Sequence, residues 1–211
     1  MSIIAIITAR GGSKGLPRKN VLELAGKPLI AHTIDAALQS KIFEKVIVTT
    51  DDQEIKEVSL KYGAEVIDRP DELATDTASS LDVIEHTLLQ LKENGEEYSH
   101  FILLQPTSPL RNAIHIQEAW KKYVQEKASS LVSVTEVEHP PQKMLIEKDG
   151  KIEPLTTWED LTKPRQSLPK AYEPNGAIYI CNIEKFLDTK NIFLEPLKIF
   201  HMDKKDSTDI D

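Results

Sequence analysis

Short apolar runs alternate with amphipathic stretches through the first two-thirds of the chain. Ile3–Ile7 is an unbroken apolar run, which predicts a strand buried on both faces. The same reasoning predicts strands over Lys45–Thr50, Ala64–Asp68, Phe101–Leu104, Leu131–Val134, Gly176–Cys181 and Leu197–Met202. Between them the apolar period lengthens to that of a helix. Leu29, Ile30, Thr33, Ile34, Ala37 and Leu38 share one face of a helix over Pro28–Ser40. Ile55, Val58 and Tyr62 line a short helix stopped by Gly63. Leu81, Ile84, Leu88 and Leu91 line another, with Ser79 and Asp82 expected as its capping box and Gly95 as its stop. A further helix carries Ile116, Ala119, Trp120 and Tyr123. Strand and helix in strict alternation predict an α/β fold, a parallel sheet with helices on its faces.

The pattern breaks between His139 and Pro174, where Pro140, Pro141, Pro154, Pro164, Pro169 and Pro174 fall with little helical period. Asp149-Gly150, between MLIEK and KIEPL, signals a hairpin. The segment is too long for an ordinary connection. It is expected to leave the core and either cover the site or pair with a second subunit. The chain is therefore read as a single domain, 1–211, with a proline-rich excursion at about 139–174.

Charge narrows the choice of ligand. A net charge of −8 argues against a general nucleic-acid partner, so a local basic loop fits a small anionic substrate. The single cysteine, Cys181, sits in an apolar run and reads as a packing residue; it permits a reducing compartment. No run approaches the ~18 apolar residues of a membrane span, and no charged leader precedes the first strand. A cytoplasmic location is expected, without membrane contact.

The basic loop follows the first strand. Arg10, Gly11, Gly12, Ser13, Lys14, Gly15, Leu16, Pro17, Arg18 and Lys19 combine four cations with glycines that let backbone N–H groups approach an anion. The Walker spacing fails, because Leu16 stands where a glycine is required and Gly15 follows Lys14. The dinucleotide fingerprint fails at Ser13. In isolation such a loop is more often a basic surface turn. Here it shares the carboxyl ends of predicted strands with Asp51-Asp52, Arg69–Ser80 and Gln105–Arg111, where open parallel sheets bind ligands. At the far end, Asp209 and Asp211 form a D-x-D pair. Its carboxylates would share one side of an extended segment and suit a hard divalent cation, though the spacing equally fits a solvated acidic end. His32, His86 and His115 form no ligand set, and Ser13 has no placeable triad partners.

ARGGSKGLPRKN at Ala9–Asn20, RPDELATDTASS at Arg69–Ser80, LLQPTSPLR at Leu103–Arg111, PNGAIY at Pro174–Tyr179 and DSTDID at Asp206–Asp211 stand in an order that resembles the acylneuraminate cytidylyltransferases, or CMP-sialic acid synthetases. The resemblance implies a Rossmann-like nucleotidyltransferase fold with a mixed, mainly parallel sheet, and a homodimer. It implies transfer of CMP from CTP to a nonulosonic acid, with Mg2+ and release of pyrophosphate. Carried over by motif, Arg10, Gly12, Ser13, Lys14 and Lys19 are expected at the phosphates, with Asn20 beside them. Arg69, Ser80 and the backbone around Ala9 are expected at the cytosine and ribose. Gln105 and Tyr179 are expected at the sugar, and Asp209 and Asp211 at the metal. Arg10, Lys14 and Asp211 are the catalytic candidates. Lys143 and Arg165, in the excursion, would reach the sugar site of a partner subunit. One departure stands out: Glu173 occupies a position where sialic-acid-activating members commonly carry Arg. This favours a different nonulosonic acid, such as a legionaminic acid derivative. Family members also continue past the D-x-D pair into a further helix. The alternatives are a nucleotidyltransferase for another sugar acid or sugar phosphate, and a non-catalytic nucleotide-sugar sensor. The D-x-D pair argues against the sensor, since binding alone would not require it.

Overall fold

In the computed structural model, which describes residues 1–12, 15–75 and 77–210, the apolar runs become strands of one sheet. In chain order the elements are β1 (Ile3–Thr8), β2 (Glu23–Leu24), β3 (Lys27–Pro28), α1 (Leu29–Ser40), β4 (Lys45–Thr50), α2 (Gln53–Lys61) and β5 (Glu65–Asp68). There follow α3 (Ser80–Glu93), β6 (His100–Leu103), α4 (Ala113–Gln125), β7 (Ser130–Glu136), β8 (Leu145–Lys148), β9 (Lys151–Pro154), β10 (Tyr172–Asn182), α5 (Ile183–Thr189) and β11 (Leu197–His201). Among the described residues the main sheet has seven strands in the order β11-β7-β10-β6-β1-β4-β5. β1 runs parallel to β4 and β6, β4 to β5, and β7 to β11; β10 is antiparallel to both β6 and β7. The sheet is thus mixed and mainly parallel.

Alternation along β1 feeds two cores. Ile3, Ala5 and Ile7 pack with Ile30 and Ile34 of α1, Ile55 of α2 and Ile116 of α4 on one face. Ile4 and Ile6 pack with Ile84 and Leu88 of α3 and Phe186 of α5 on the other. A strand enclosed on both sides has no polar face, which is why Ile3–Ile7 reads as an unbroken apolar run.

Caps set where the helices begin. The Asp52 side chain accepts from Ile55 N–H, and Asn182 from Lys185 N–H. Ser79 caps α3 through the Leu81 N–H, but the reciprocal bond from Asp82 is not among its contacts. The complete capping box lies at α4, where Asn112 and His115 exchange bonds. Leu38, expected on the buried face of α1, is 41% exposed. It lies at the margin of the stripe, 3.4 Å from where a Cβ at Gly63 would stand.

The excursion forms a separate ribbon of β8 and β9, antiparallel, turned by Asp149 and Gly150 at φ 51 and 74. The returning strand starts at Tyr172, earlier than Gly176, and pairs with β7 on both sides of an irregularity between Pro174 and Tyr179. Among the described residues no helix is long and apolar enough to cross a membrane.

The α1 stripe yields a stability prediction. Ile34→Ala should cost about 2–5 kcal/mol in urea unfolding, as deletion of a fully buried side chain does. Leu38→Ala should stay within about 1 kcal/mol. Equal costs would contradict the placement of Leu38 outside the core.

Candidate active site

Because β1, β4, β5, β6 and β7 point the same way, their carboxyl ends open on one edge of the sheet, and β10 begins there. The opening loop is held on that edge by its neighbours. Asn20 is buried, and its Nδ2 donates to the Arg10 carbonyl at 3.1 Å. The Gly11 N–H donates to Asp51 Oδ1 at 3.0 Å. A Cβ at Gly11 would stand 2.8 Å from Asp52 Oδ2, so only glycine lets the loop pass this close to the β4 terminus. Arg18 is ion-paired to Asp52 and Glu54. Burial opposes ionisation of Asp52, but the Arg18 and Ile55 hydrogen bonds outweigh it and hold the carboxyl below its usual range. Arg18 therefore braces the loop, whereas Arg10, Gly12 and Lys19 line a cavity. Ser13 and Lys14 lie outside the described residues.

Three cavities adjoin along this edge. The first, of about 260 Å³, is lined by Thr8, Arg10, Arg69, Thr75 and Ser80. The second, of about 300 Å³, shares Thr8 and Arg10 and adds Gly12, Lys19, Gln105 and Asp209. The third, of about 370 Å³, shares Gln105 and Asp209 and adds Thr135, Glu173, Gly176 and Tyr179. Shared walls make them one groove. Arg10 Nη1 donates to the Thr75 carbonyl at 3.1 Å, and Arg69 Nη2 to the Thr49 carbonyl at 2.8 Å. Burial lowers the pKa of Arg69; the Asp51 charge opposes this and the Arg10 charge adds to it. Burial, and then the Asp209 charge, raises that of Tyr179.

The segment 207–210 closes the groove. Lys19 Nζ donates to the Ile210 carbonyl at 2.9 Å, and the Ile210 N–H donates to the Thr107 carbonyl at 2.9 Å. Asn175 Nδ2 donates to Ser207 Oγ at 2.9 Å, while Asn175 Oδ1 accepts from Ser133 Oγ at 2.6 Å. Asp209 is thereby suspended between the basic loop and the loop after β6. Among the described residues no three His, Cys, Asp or Glu side chains gather as a metal cage. A single carboxylate beside a basic loop is the kind of donor a hard divalent cation takes when water and phosphate oxygens complete its shell. Asp211 lies outside the described residues.

Most of the motif-derived residues meet here. Arg10, Gly12, Lys19, Asn20, Arg69, Ser80, Gln105, Glu173, Tyr179 and Asp209 all line the groove. Ala9 is buried between Thr8 and Arg10, its N–H bonded to the Thr49 carbonyl. Lys143 and Arg165 line none of the three cavities. Lys143 Nζ donates to the Leu161 and Lys163 carbonyls inside the excursion, and Arg165 is exposed. Thr8, Thr135 and Ser207 received no role from the sequence. The position of Thr8 and Thr135 at strand carboxyl ends was the available signal. His32 bonds the Leu24 carbonyl, His115 caps α4, and Cys181 is buried, all packing or capping roles. A further cavity of about 450 Å³, between α3 and α5 and lined by Leu88, Leu91, Tyr98 and Ile183, holds none of these residues.

The chain is similar to known proteins over nearly all of its length. A family profile described as cytidylyltransferase matches residues 4–209. The N-acylneuraminate cytidylyltransferase of Escherichia coli O18:K1:H7 is 47% identical over 211 residues, 99% of this chain; the chain spans 49% of that protein, about half its length. The CMP-N,N'-diacetyllegionaminic acid synthase of Legionella pneumophila is 37% identical, over 100% of this chain and 91% of that protein. The solved structure of a CMP:2-keto-3-deoxy-manno-octonic acid synthetase complexed with CTP shares the fold, with a TM-score of 0.70 at 19% identity, covering 96% of this chain and 90% of the other.

Gly11→Ala tests the cradle without reference to turnover. A methyl group there must displace Asp52 or the loop, so nucleoside triphosphate binding by calorimetry should weaken at least ~10-fold, the scale of a misplaced polar contact. Unchanged affinity would remove Gly11 from the cradle.

Proposed function

We propose that this chain, which belongs to the cytidylyltransferase family, activates a nonulosonic acid by transferring CMP from CTP and releasing pyrophosphate. The observation that carries this reading is the continuous groove, which runs from Arg69 and Ser80, past Arg10 and Lys19, to Gln105, Glu173 and Tyr179. Its length and change of lining suit a nucleoside, a polyphosphate and a sugar acid in that order.

The sugar's anomeric hydroxyl oxygen attacks the α-phosphorus of CTP in line and gives its proton to one of the two aspartates or to water; the bond from the α-phosphorus to the bridging oxygen breaks, and pyrophosphate departs with its electrons. Such chemistry depends on positioning and charge neutralisation more than on covalent help. Arg69 and Ser80 hold the cytidine end. Arg10, Lys14 and Lys19 offset the charge that gathers on the leaving pyrophosphate. Gln105 and Tyr179 hold the sugar acid against the α-phosphate. Asp209, with Asp211, is the proposed magnesium site, and the bound ion would neutralise phosphate charge. The cellular setting proposed is the cytoplasm, where CTP is made available to such an enzyme.

Glu173 bears on which sugar acid is used. It lines the third cavity, so it adds a negative charge where sialic-acid-activating relatives are expected to carry a positive one. We read this as preference for a nonulosonic acid other than N-acetylneuraminic acid, such as a diacetyllegionaminic acid.

The excursion supports a homodimer reading. Leu145, Ile152, Leu155 and Trp158 are each 45–63% exposed, an apolar surface that a second copy would cover. Lys143 and Arg165 are proposed to act across that interface.

Pyrophosphate release with CTP, magnesium and a panel including N-acetylneuraminic and diacetyllegionaminic acids tests the activity. CTP binding without release from any acid would favour the sensor alternative. Glu173→Arg should shift the kcat/KM ratio toward N-acetylneuraminic acid by at least ~10-fold, since a reversed charge at a pocket wall changes binding by more than 1 kcal/mol. An unmoved ratio would put sugar choice elsewhere. Sedimentation at micromolar protein should give a dimer, and Ile152→Glu a monomer; a monomeric parent chain would end the interface proposal.

A further inference from the structure

Gln105 stands where the second and third cavities meet, and it is the residue shared by the phosphate and sugar ends of the groove along with Asp209. Two other residues govern where it sits. Arg111 is only 1% exposed and faces none of the groove cavities. Its Nη1 donates to the carbonyls of Gln105 and Ala177, each at 3.1 Å. Its Nε and Nη2 have no partner among the described residues. Burial pushes its pKa down to about 9, so the guanidinium remains charged near neutrality.

Burying this cation is costly, and an apolar side chain would fill the volume at lower desolvation cost. An apolar side chain would not bridge the loop after β6 to the start of the regular part of β10. The bridge joins the two segments that carry Gln105 and Tyr179. Gly176 completes it from the other side. Its φ is 73, and a Cβ there would stand 2.5 Å from Gln105 Oε1 and 3.4 Å from Ser108 Oγ. Gly176 therefore keeps open the space that the Gln105 amide occupies. Ser108 Oγ donates to the neighbouring Asn175 carbonyl at 3.2 Å, which holds the same turn against the same loop.

We infer that Arg111 and Gly176 are positioning residues that set the Gln105 side chain for the sugar acid: Arg111 by fixing the backbone of Gln105, Gly176 by leaving room for its amide. The inference rests on the groove reading proposed above. It predicts that damage at either position falls on the sugar acid and spares the nucleotide.

Steady-state kinetics on the full chain test it through a double-mutant cycle of Gly176→Ala and Gln105→Ala. Gly176→Ala alone should raise KM for the sugar acid about tenfold. In the Gln105→Ala background the same substitution should change it less than about twofold, because the amide it displaces is gone. Backbone strain at φ 73 is present in both backgrounds and cancels. Equal losses in the two backgrounds would overturn the inference for Gly176. Arg111→Lys keeps the charge, but its side chain is one bond too short to bring a nitrogen to the point where Nη1 meets both carbonyls. It should raise KM for the sugar acid about tenfold and leave KM for CTP within about twofold. A lowered melting temperature with both KM values moved alike would reduce Arg111 to a structural residue and overturn its part. A parent chain that releases no pyrophosphate with any acid in the panel would end the functional reading and this inference with it. An active parent with additive losses in the cycle and with both KM values moved alike in Arg111→Lys would end this inference alone.

Discussion

The hydrogen bond from Lys19 to the carbonyl of Ile210 spans 191 positions of sequence, and the candidate site depends on it. It carries the end of the chain onto the basic loop, while the Ile210 N–H takes hold of Thr107 in the loop after β6. An extended acidic segment would otherwise be solvated on a protein of net charge −8. Held on both sides, it instead delivers Asp209 to the wall shared by two cavities. A backbone carbonyl carries no counter-charge, so the contact holds residues 207–210 in place without pairing Lys19 to an acid.

Charge in the opening loop is divided by the same logic. Arg18 is committed to Asp52 and Glu54 and acts as a brace, whereas Arg10 and Lys19 remain on the groove wall. Gly11 passes against Asp52 because it has no Cβ, and Asp51 takes its N–H. The carboxyl end of β4 thus shapes the groove indirectly, through the loop that β1 sends over it. Two acidic residues beside a basic cradle look unhelpful for anion binding until one is seen accepting a loop N–H and the other neutralised by Arg18.

Much of this was legible in the linear chain. Ile3–Ile7 announced a doubly buried strand, and the structure divides its residues between two cores. Period and punctuation placed the helices, apart from details set by neighbours. Leu38 fits the α1 stripe by spacing but is left partly in solvent. Ser79 and Asp82 have the letters of a capping box, yet the complete box forms at Asn112 and His115. The two-stranded ribbon of Glu23–Leu24 and Lys27–Pro28 left no readable pattern because it is too short to show a period.

The sequence by itself determined the sheet strands, the helical faces, the basic loop and the family motifs, because each is a matter of residue type at local spacing. The family motifs also supplied Arg10, Gly12, Lys19, Asn20, Arg69, Ser80, Gln105, Glu173, Tyr179 and Asp209 of the groove wall, but not Thr8, Thr135 or Ser207. Only the tertiary structure decided which of them meet. That Arg18 turns to Asp52 while Lys19 turns to Ile210, that Asn175 joins Ser133 to Ser207, and that Arg111 spends its one bonded nitrogen on the loop after β6 and on β10 follow from the sheet order and register. Those bring together positions far apart in the chain, and no local preference of any residue encodes that distance.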